Sequence, residues 1–268
     1  GSLMRERRIP KGNGRYRTIV VPSGRRKRQC REVLPRLVAI ALIMDRGRVQ
    51  HGFTPGRSPV TNAMAHRGYR YTVSWDLADC FDHVTRDMIA QIVTDPPACG
   101  FVDGIARQGL PSSPALANIA LTPLDFAVQR LLDSPAQCPG QSTYTRYADD
   151  LCVSCDDRRT IDQLLRRMPD LVDAHGFALS THKTHVQSAA RGRRRITGVM
   201  VDDALHVPRA LRRRLRAARH QQHKCQAAGL DEWARLKLPN RHQWALDRLT
   251  LHDPAVTIIA GILNREGG

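Results

Sequence analysis

The chain has 268 residues, with 42 Lys and Arg against 25 Asp and Glu and a formal net charge of +17. Its 41% hydrophobic content supports a buried core, so the class is globular, and the charge excess points to a polyanion partner. Nucleic acid is the first expectation, because phosphate neutralisation and counterion release give basic chains affinity independent of sequence. Seven cysteines at irregular spacing exclude a disulfide framework. Cys152 and Cys155 form a lone C-x-x-C inside a strand-like run, with no second pair at zinc-like spacing. No run approaches the ~18 apolar residues of a membrane span, and no signal sequence is apparent. A reduced, cytoplasmic protein with no membrane partner is the expectation. Aromatics at 5% exclude a binder built on base stacking.

In chain order, Gly12-Asn13-Gly14 predicts a hairpin tip between Ile9 and the strand-like Tyr16–Val21. A helix follows, with Val33, Leu34, Leu37, Val38 and Ala41 on one face. HGFTPGRS at 51–58 is a Gly/Pro-broken loop that leads into a short helix. YRYTVSWDL at 69–77 alternates as a strand carrying Asp76 near its end. A helix from Ser113 is expected to kink or break at Pro123, and another, through Ile161, Leu164, Leu165 and Met168, to stop at Gly176 with Pro169 dividing it. A strand pair is expected over 184–207, then a strongly basic helix from Pro208 to Ala228. Strands and helices alternate irregularly with hairpins at the centre, so the fold class is α+β: an antiparallel sheet with helices on one face. No Gly-rich nucleotide loop follows a strand.

TRYADDLCVSC, residues 145–155, sets Asp149 and Asp150 side by side at a tight hairpin. Adjacent aspartates are common turn formers in their own right. Between two apolar strand runs, however, their desolvation and mutual repulsion would cost several kcal/mol, a cost that a divalent cation removes. Asp76 ends a second strand and fits the same site, with the Leu77 carbonyl as a further oxygen ligand. Three carboxylates on neighbouring strand ends can hold two metals about 4 Å apart for in-line phosphoryl transfer.

YADD at 147–150, DLADCF at 76–81 and QGLPSSPALAN at 108–118 occur in the order and chemistry of reverse transcriptases, which the chain resembles. IPKGNGRYRTIVVP, HGFTPGRS, LSTHKT and RRITGVMV extend the likeness over nearly the whole chain. The resemblance implies a right-hand polymerase with fingers over 1–60, palm over 61–204 (a short fingers segment near 91–107) and a small helical thumb over 205–268. It implies RNA-directed DNA polymerase activity on dNTPs, an RNA template and an RNA–DNA hybrid, with two Mg²⁺ ions or Mn²⁺. Asp76, Asp149 and Asp150 then resemble the metal-binding triad. Lys11 and Arg17 match the basic pair over the incoming triphosphate, and Phe81 the aromatic against the sugar 2′ position. Gln108 and Gly109 match the loop contacting nucleotide and template, and Lys183 the lysine that neutralises leaving pyrophosphate.

Two further elements narrow the branch. Asn62-Ala63-Met64-Ala65-His66 looks like the NAxxH element of retron reverse transcriptases, and Ile196-Thr197-Gly198 is similar to their VTG triplet. In that group these regions help recognise a cognate structured non-coding RNA, which makes Asn62, His66, Thr197 and Gly198 RNA-binding candidates. An effector protein belongs to the same expectation. Arg212, Arg213 and Arg216 stand on the basic thumb helix, where they would track hybrid phosphates. The interval between Phe81 and Gln108 is shorter than that branch leads one to expect. A compact intron-derived or defence-associated enzyme, and a non-catalytic RNA-binding module of the same fold, are the competing readings.

Overall fold

In the computed structural model, which describes residues 5–12, 15–180, 182–209, 212, 213 and 216, the alternating runs pair into one central antiparallel sheet. A separate hairpin precedes it, β1 (Arg5–Gly12) and β2 (Arg15–Val21) flanking the Gly-Asn-Gly tip as the sequence predicts. The central sheet has the order β4 (Ser142–Tyr147), β5 (Asp150–Cys155), β3 (Tyr71–Asp76) and β6 (His185–Ser188). Because side chains alternate across a strand, Tyr71, Val73 and Trp75 face the main core with Leu151, Val153 and Cys155. Thr72, Ser74, Asp76, Asp150, Cys152 and Ser154 share the other face. Register fixes this division: a slip of one residue would turn the aspartates into the core.

Among the described residues the helices beside the sheet are α1 (Gly24–Met44), α2 (Pro59–Met64), α3 (Cys80–His83), α4 (Arg86–Ala90), α5 (Ser113–Leu132) and α6 (Arg158–Asp173). On α6 the residues Ile161, Leu164, Met168 and Val172 form one fully buried stripe, and Gly176 follows at φ +78, a left-handed stop open to glycine. The capping box of α2 is reciprocal: Ser58 Oγ accepts from the Thr61 N–H, and Thr61 Oγ1 accepts from the Ser58 N–H.

Three expectations change. Neither Pro123 nor Pro169 interrupts its helix. In α5 the residues on both sides of Pro123 are buried in the core, and that packing outweighs a proline cost of ~3 kcal/mol. The pair expected over 184–207 is instead β6 on the central sheet plus a three-stranded sheet of β7 (Arg194–Ile196), β8 (Val199–Val201) and β9 (Leu205–His206). That small sheet and α2 enclose Cys152 from the second face, in a cluster of Val60, Ala63, Ile196, Val201 and Leu205. The small sheet and α2 thus cover the second face around Cys152, while β6 stays exposed at His185 and Val186 and the aspartates lie at the strand ends. Most of the basic helix expected from Pro208 lies outside the described residues.

Candidate active site

Asp76 and Asp150 are direct partners in the β3–β5 register, so their side chains leave the same face of adjacent strands. The N–H of Leu77 donates to the Asp149 carbonyl at 3.0 Å, which pins the strand end against the turn. Tyr147 pairs with Asp150, leaving a two-residue loop of Ala148 and Asp149. Ala148 has φ +58, a left-handed conformation that hairpins usually assign to glycine. The turn therefore carries strain, and it carries it next to the carboxylates.

Their electrostatics follow from this crowding. Burial pushes the Asp150 carboxyl up to about 7, with help from the neighbouring charges of Asp149 and Asp76, although its outer edge stays open to solvent. Asp149 is also raised, chiefly by burial, with Asp76 adding to it. Lys183 Nζ donates to Asp76 Oδ2 at 2.5 Å, and that hydrogen bond holds the ammonium above its ordinary range. The Lys183 ammonium thus offsets part of the carboxylate charge.

The sequence reading missed what holds the turn. Arg146, 1% exposed, donates from Nε and Nη2 to the Asp125 carboxylate at 2.9 and 2.7 Å. Its Nη1 donates to Asn118 Oδ1 at 3.0 Å and to the Ala148 carbonyl at 3.2 Å. Burial opposes the charge of Arg146; the Asp125 carboxylate overrules it and keeps the guanidinium protonated. Asn118 Nδ2 donates to the Gly52 carbonyl at 3.0 Å, tying in the 51–58 loop. Gly52 lies so close to the turn that an added Cβ would fall 2.1 Å from the Ala148 nitrogen. The signal was available: Asp125 is a charge in the middle of an apolar helix.

Arg17, Phe81 and Gln108 line one open cleft of about 280 Å³ with Tyr16, Asp82 and Arg107. Arg17 is exposed, and its charge acts to lower Asp149. The Gln108 carbonyl accepts from the Val20 N–H at 2.8 Å, and Gly109, at φ +109, lies where a Cβ would strike the Val20 carbonyl. The 108–109 loop is thus docked on β2. Arg107, which the sequence reading passed over, pairs with Asp82 at 2.8 Å in the same cleft. Lys11 lies on β1; its side chain is outside the described part.

The second set of predictions is redistributed. His66 is fully buried, its Nδ1 2.8 Å from Ser154 Oγ and its Nε2 2.7 Å from Thr145 Oγ1. Burial, with Arg194 and His51 adding to it, lowers its pKa to about 3, so the ring is neutral. Asn62 is 1% exposed and donates from Nδ2 to Thr197 Oγ1 at 3.4 Å. Reading Asn62 and His66 as surface RNA contacts is corrected accordingly: both side chains face inward. Thr197 and Gly198, at φ +45 and +85, form the β7–β8 turn, with Gly198 exposed and Thr197 Oγ1 donating to the Pro59 carbonyl at 2.9 Å. The two elements that suggested a branch are thus in contact. Arg212 is half-buried, and Arg213 and Arg216 are exposed.

Among the described residues, no group of three or more His, Cys, Asp or Glu side chains is arranged to hold a metal ion by itself. The donor set nonetheless fits a hard divalent cation. It is all oxygen, burial and neighbouring charge hold Asp149 and Asp150 up in pKa, and Asp76 already accepts a hydrogen bond from the Lys183 ammonium.

Residues 9–230 match the family described as reverse transcriptase (RNA-dependent DNA polymerase). The chain is 34% identical over 242 residues to the Retron Mx65 reverse transcriptase of Myxococcus xanthus, covering 80% of this chain and 55% of that protein. It is 27% identical over 183 residues to the Retron Ec86 reverse transcriptase of Escherichia coli, covering 63% of this chain and 54% of that protein. The chain thus spans about half the length of these relatives. Among solved structures, telomerase from Candida albicans with a telomeric RNA fragment has a similar fold, with a TM-score of 0.54 at 12% identity over 74% of this chain and 45% of that one. Apo telomerase from Candida tropicalis gives a TM-score of 0.52 at 13% identity over 76% and 48%. At such identities the likeness is one of fold alone.

Proposed function

We propose that this chain, which belongs to the reverse transcriptase (RNA-dependent DNA polymerase) family, is an RNA-directed DNA polymerase of the retron type. The observation that carries this reading is Asp76 opposite Asp150 across adjacent strands, beside the strained Ala148–Asp149 turn. Fingers over 1–60, palm over 61–204 with a fingers segment near 91–107, and thumb over 205–268 are the division that goes with it.

The reaction joins a primer 3′ oxygen to the α-phosphorus of a dNTP and releases pyrophosphate. Two divalent cations, Mg²⁺ or alternatively Mn²⁺, held by Asp76, Asp149, Asp150 and the Leu77 carbonyl would supply charge that activates the attacking hydroxyl and offsets the leaving group. The chain's own side chains do the rest. Arg17 and Lys11 bind the triphosphate, and Arg107 stands in the same cleft. Lys183 carries its proton and charge beside the leaving pyrophosphate. Phe81 abuts the sugar, where a ribose 2′-hydroxyl would collide with the ring. Gln108 and Gly109 position nucleotide and template, and Arg212, Arg213 and Arg216 grip hybrid phosphates without reading sequence.

For the template, a cognate structured RNA is the reading that the retron-like elements favour. Gly198 at the exposed β7–β8 turn is its nearest contact, while Asn62 and His66 set the shape of that surface.

Primer extension on an RNA template with Mg²⁺ and dNTPs tests the proposal. The protein extends the primer, and Asp149→Ala abolishes extension while still binding hybrid. Absence of extension by the unaltered protein, or full extension by Asp149→Ala, would overturn it.

A further inference from the structure

We propose that Phe53 is a positioning residue for Phe81, and through it a determinant of deoxyribonucleotide selectivity; this rests on the reading of Phe81 as the ring beside the sugar. The two rings stand edge to face, with centroids 6.3 Å apart and planes at 62°. Phe53 achieves this at φ +58, a conformation that bulky residues rarely adopt, and it remains 50% exposed. Hydrophobic burial alone does not explain a large ring held there. Strain of this kind persists only where the surroundings fix it.

The surroundings do fix it. The Gly52 carbonyl accepts from Asn118 Nδ2 at 3.0 Å and from Thr54 Oγ1 at 3.2 Å, clamping the backbone on both sides of Phe53. Gly52 in turn abuts Ala148, so the loop that aims Phe53 is seated on the turn that carries the aspartates. Phe81 stands on the four-residue helix α3, which follows Asp79 at φ +41. One side of Phe81 packs against the core and the other lines the cleft. The groove that Phe53 shares with Val38, Ala41, Leu42, Pro55 and Ala115 has only about 10 Å³ of room, so the space open beside Phe81 is set by the Phe53 ring itself. Remove the Phe53 ring, and Phe81 gains room to retreat from a 2′-hydroxyl.

Discrimination between sugars is a difference in barriers, so a weaker backing for Phe81 lowers the ratio rather than the overall rate. The size of an aromatic pair contact corresponds to a loss of about threefold to tenfold in that ratio.

The test measures kcat/KM for a dNTP and its matching rNTP in single-nucleotide incorporation. The variants are Phe53→Asn, Phe53→Tyr, Phe81→Ala and the double variant Phe53→Asn/Phe81→Ala. Asn tolerates the left-handed backbone, so Phe53→Asn deletes the ring and keeps the loop; Phe53→Tyr keeps the ring. The expected result is relaxed selectivity in Phe53→Asn with dNTP incorporation largely retained, recovery in Phe53→Tyr, and no further relaxation in the double variant beyond Phe81→Ala. If Phe81→Ala relaxes selectivity and Phe53→Asn does not, or slows both nucleotides equally, the Phe53 inference is overturned. If Phe81→Ala itself leaves the ratio unchanged, the sugar-facing role of Phe81 fails, and the inference falls with it.

Discussion

His66 carries no charge in the folded protein because it has no room for one. Thr145 and Ser154 bond its two nitrogens, the Thr72 and Ser154 hydroxyls are 2.7 Å apart, and Arg194 Nη1 donates to Thr72 Oγ1 at 2.9 Å. With its pKa lowered from 6.5 to about 3, the folded state binds fewer protons than the unfolded state across that window. The stability that His66 contributes is therefore complete above pH 6.5 and drains away as pH falls toward 3. Thermal unfolding from pH 7 to pH 4 checks this. The unaltered protein loses more stability over that range than His66→Gln, by up to a few kcal/mol; equal losses would refute the burial argument. The sequence revealed His66 as part of a motif. It did not reveal which way the ring faces, because a turn residue just past the short helix α2 belongs to no periodic face.

At the scale of elements, the hairpin β4–β5 was legible because alternation and the YADD turn residues are local signals. The buttress beneath it was not. Arg146 reaches Asp125 and Asn118, about two turns apart on the same face of α5, contacts distant in sequence from Arg146 that no periodicity encodes. The proline-containing helices make the same point from the other side: local propensity predicted a break, and core packing overrode it. Asp125→Ala would leave the Arg146 guanidinium buried without its carboxylate. The expected cost is about 3–5 kcal/mol of stability, read by chemical denaturation, with polymerase activity falling further than the folded fraction does. A loss below 1 kcal/mol would mean that the Asp125–Arg146 pair does not hold the turn.

For the whole molecule, composition points to a polyanion partner, and motif order points to the family that residues 9–230 match. Arg17 and Arg107 face the cleft, and Arg213 and Arg216 are exposed near the far end of the described chain. The three-stranded sheet was read as part of one strand pair because strands of two or three residues leave almost no alternation to detect. With α2 it covers the second face around Cys152, and Asp76 and Asp150 emerge from that same face toward the open end of the strands. In that open end Lys183 now holds Asp76, standing where cation charge belongs. Anomalous scattering from crystals soaked in Mn²⁺ addresses this directly. The account predicts ion density between Asp76 and the Asp149–Asp150 turn, with Lys183 drawn off the Asp76 carboxylate. Density found only elsewhere, with Lys183 still bonded to Asp76, would contradict it.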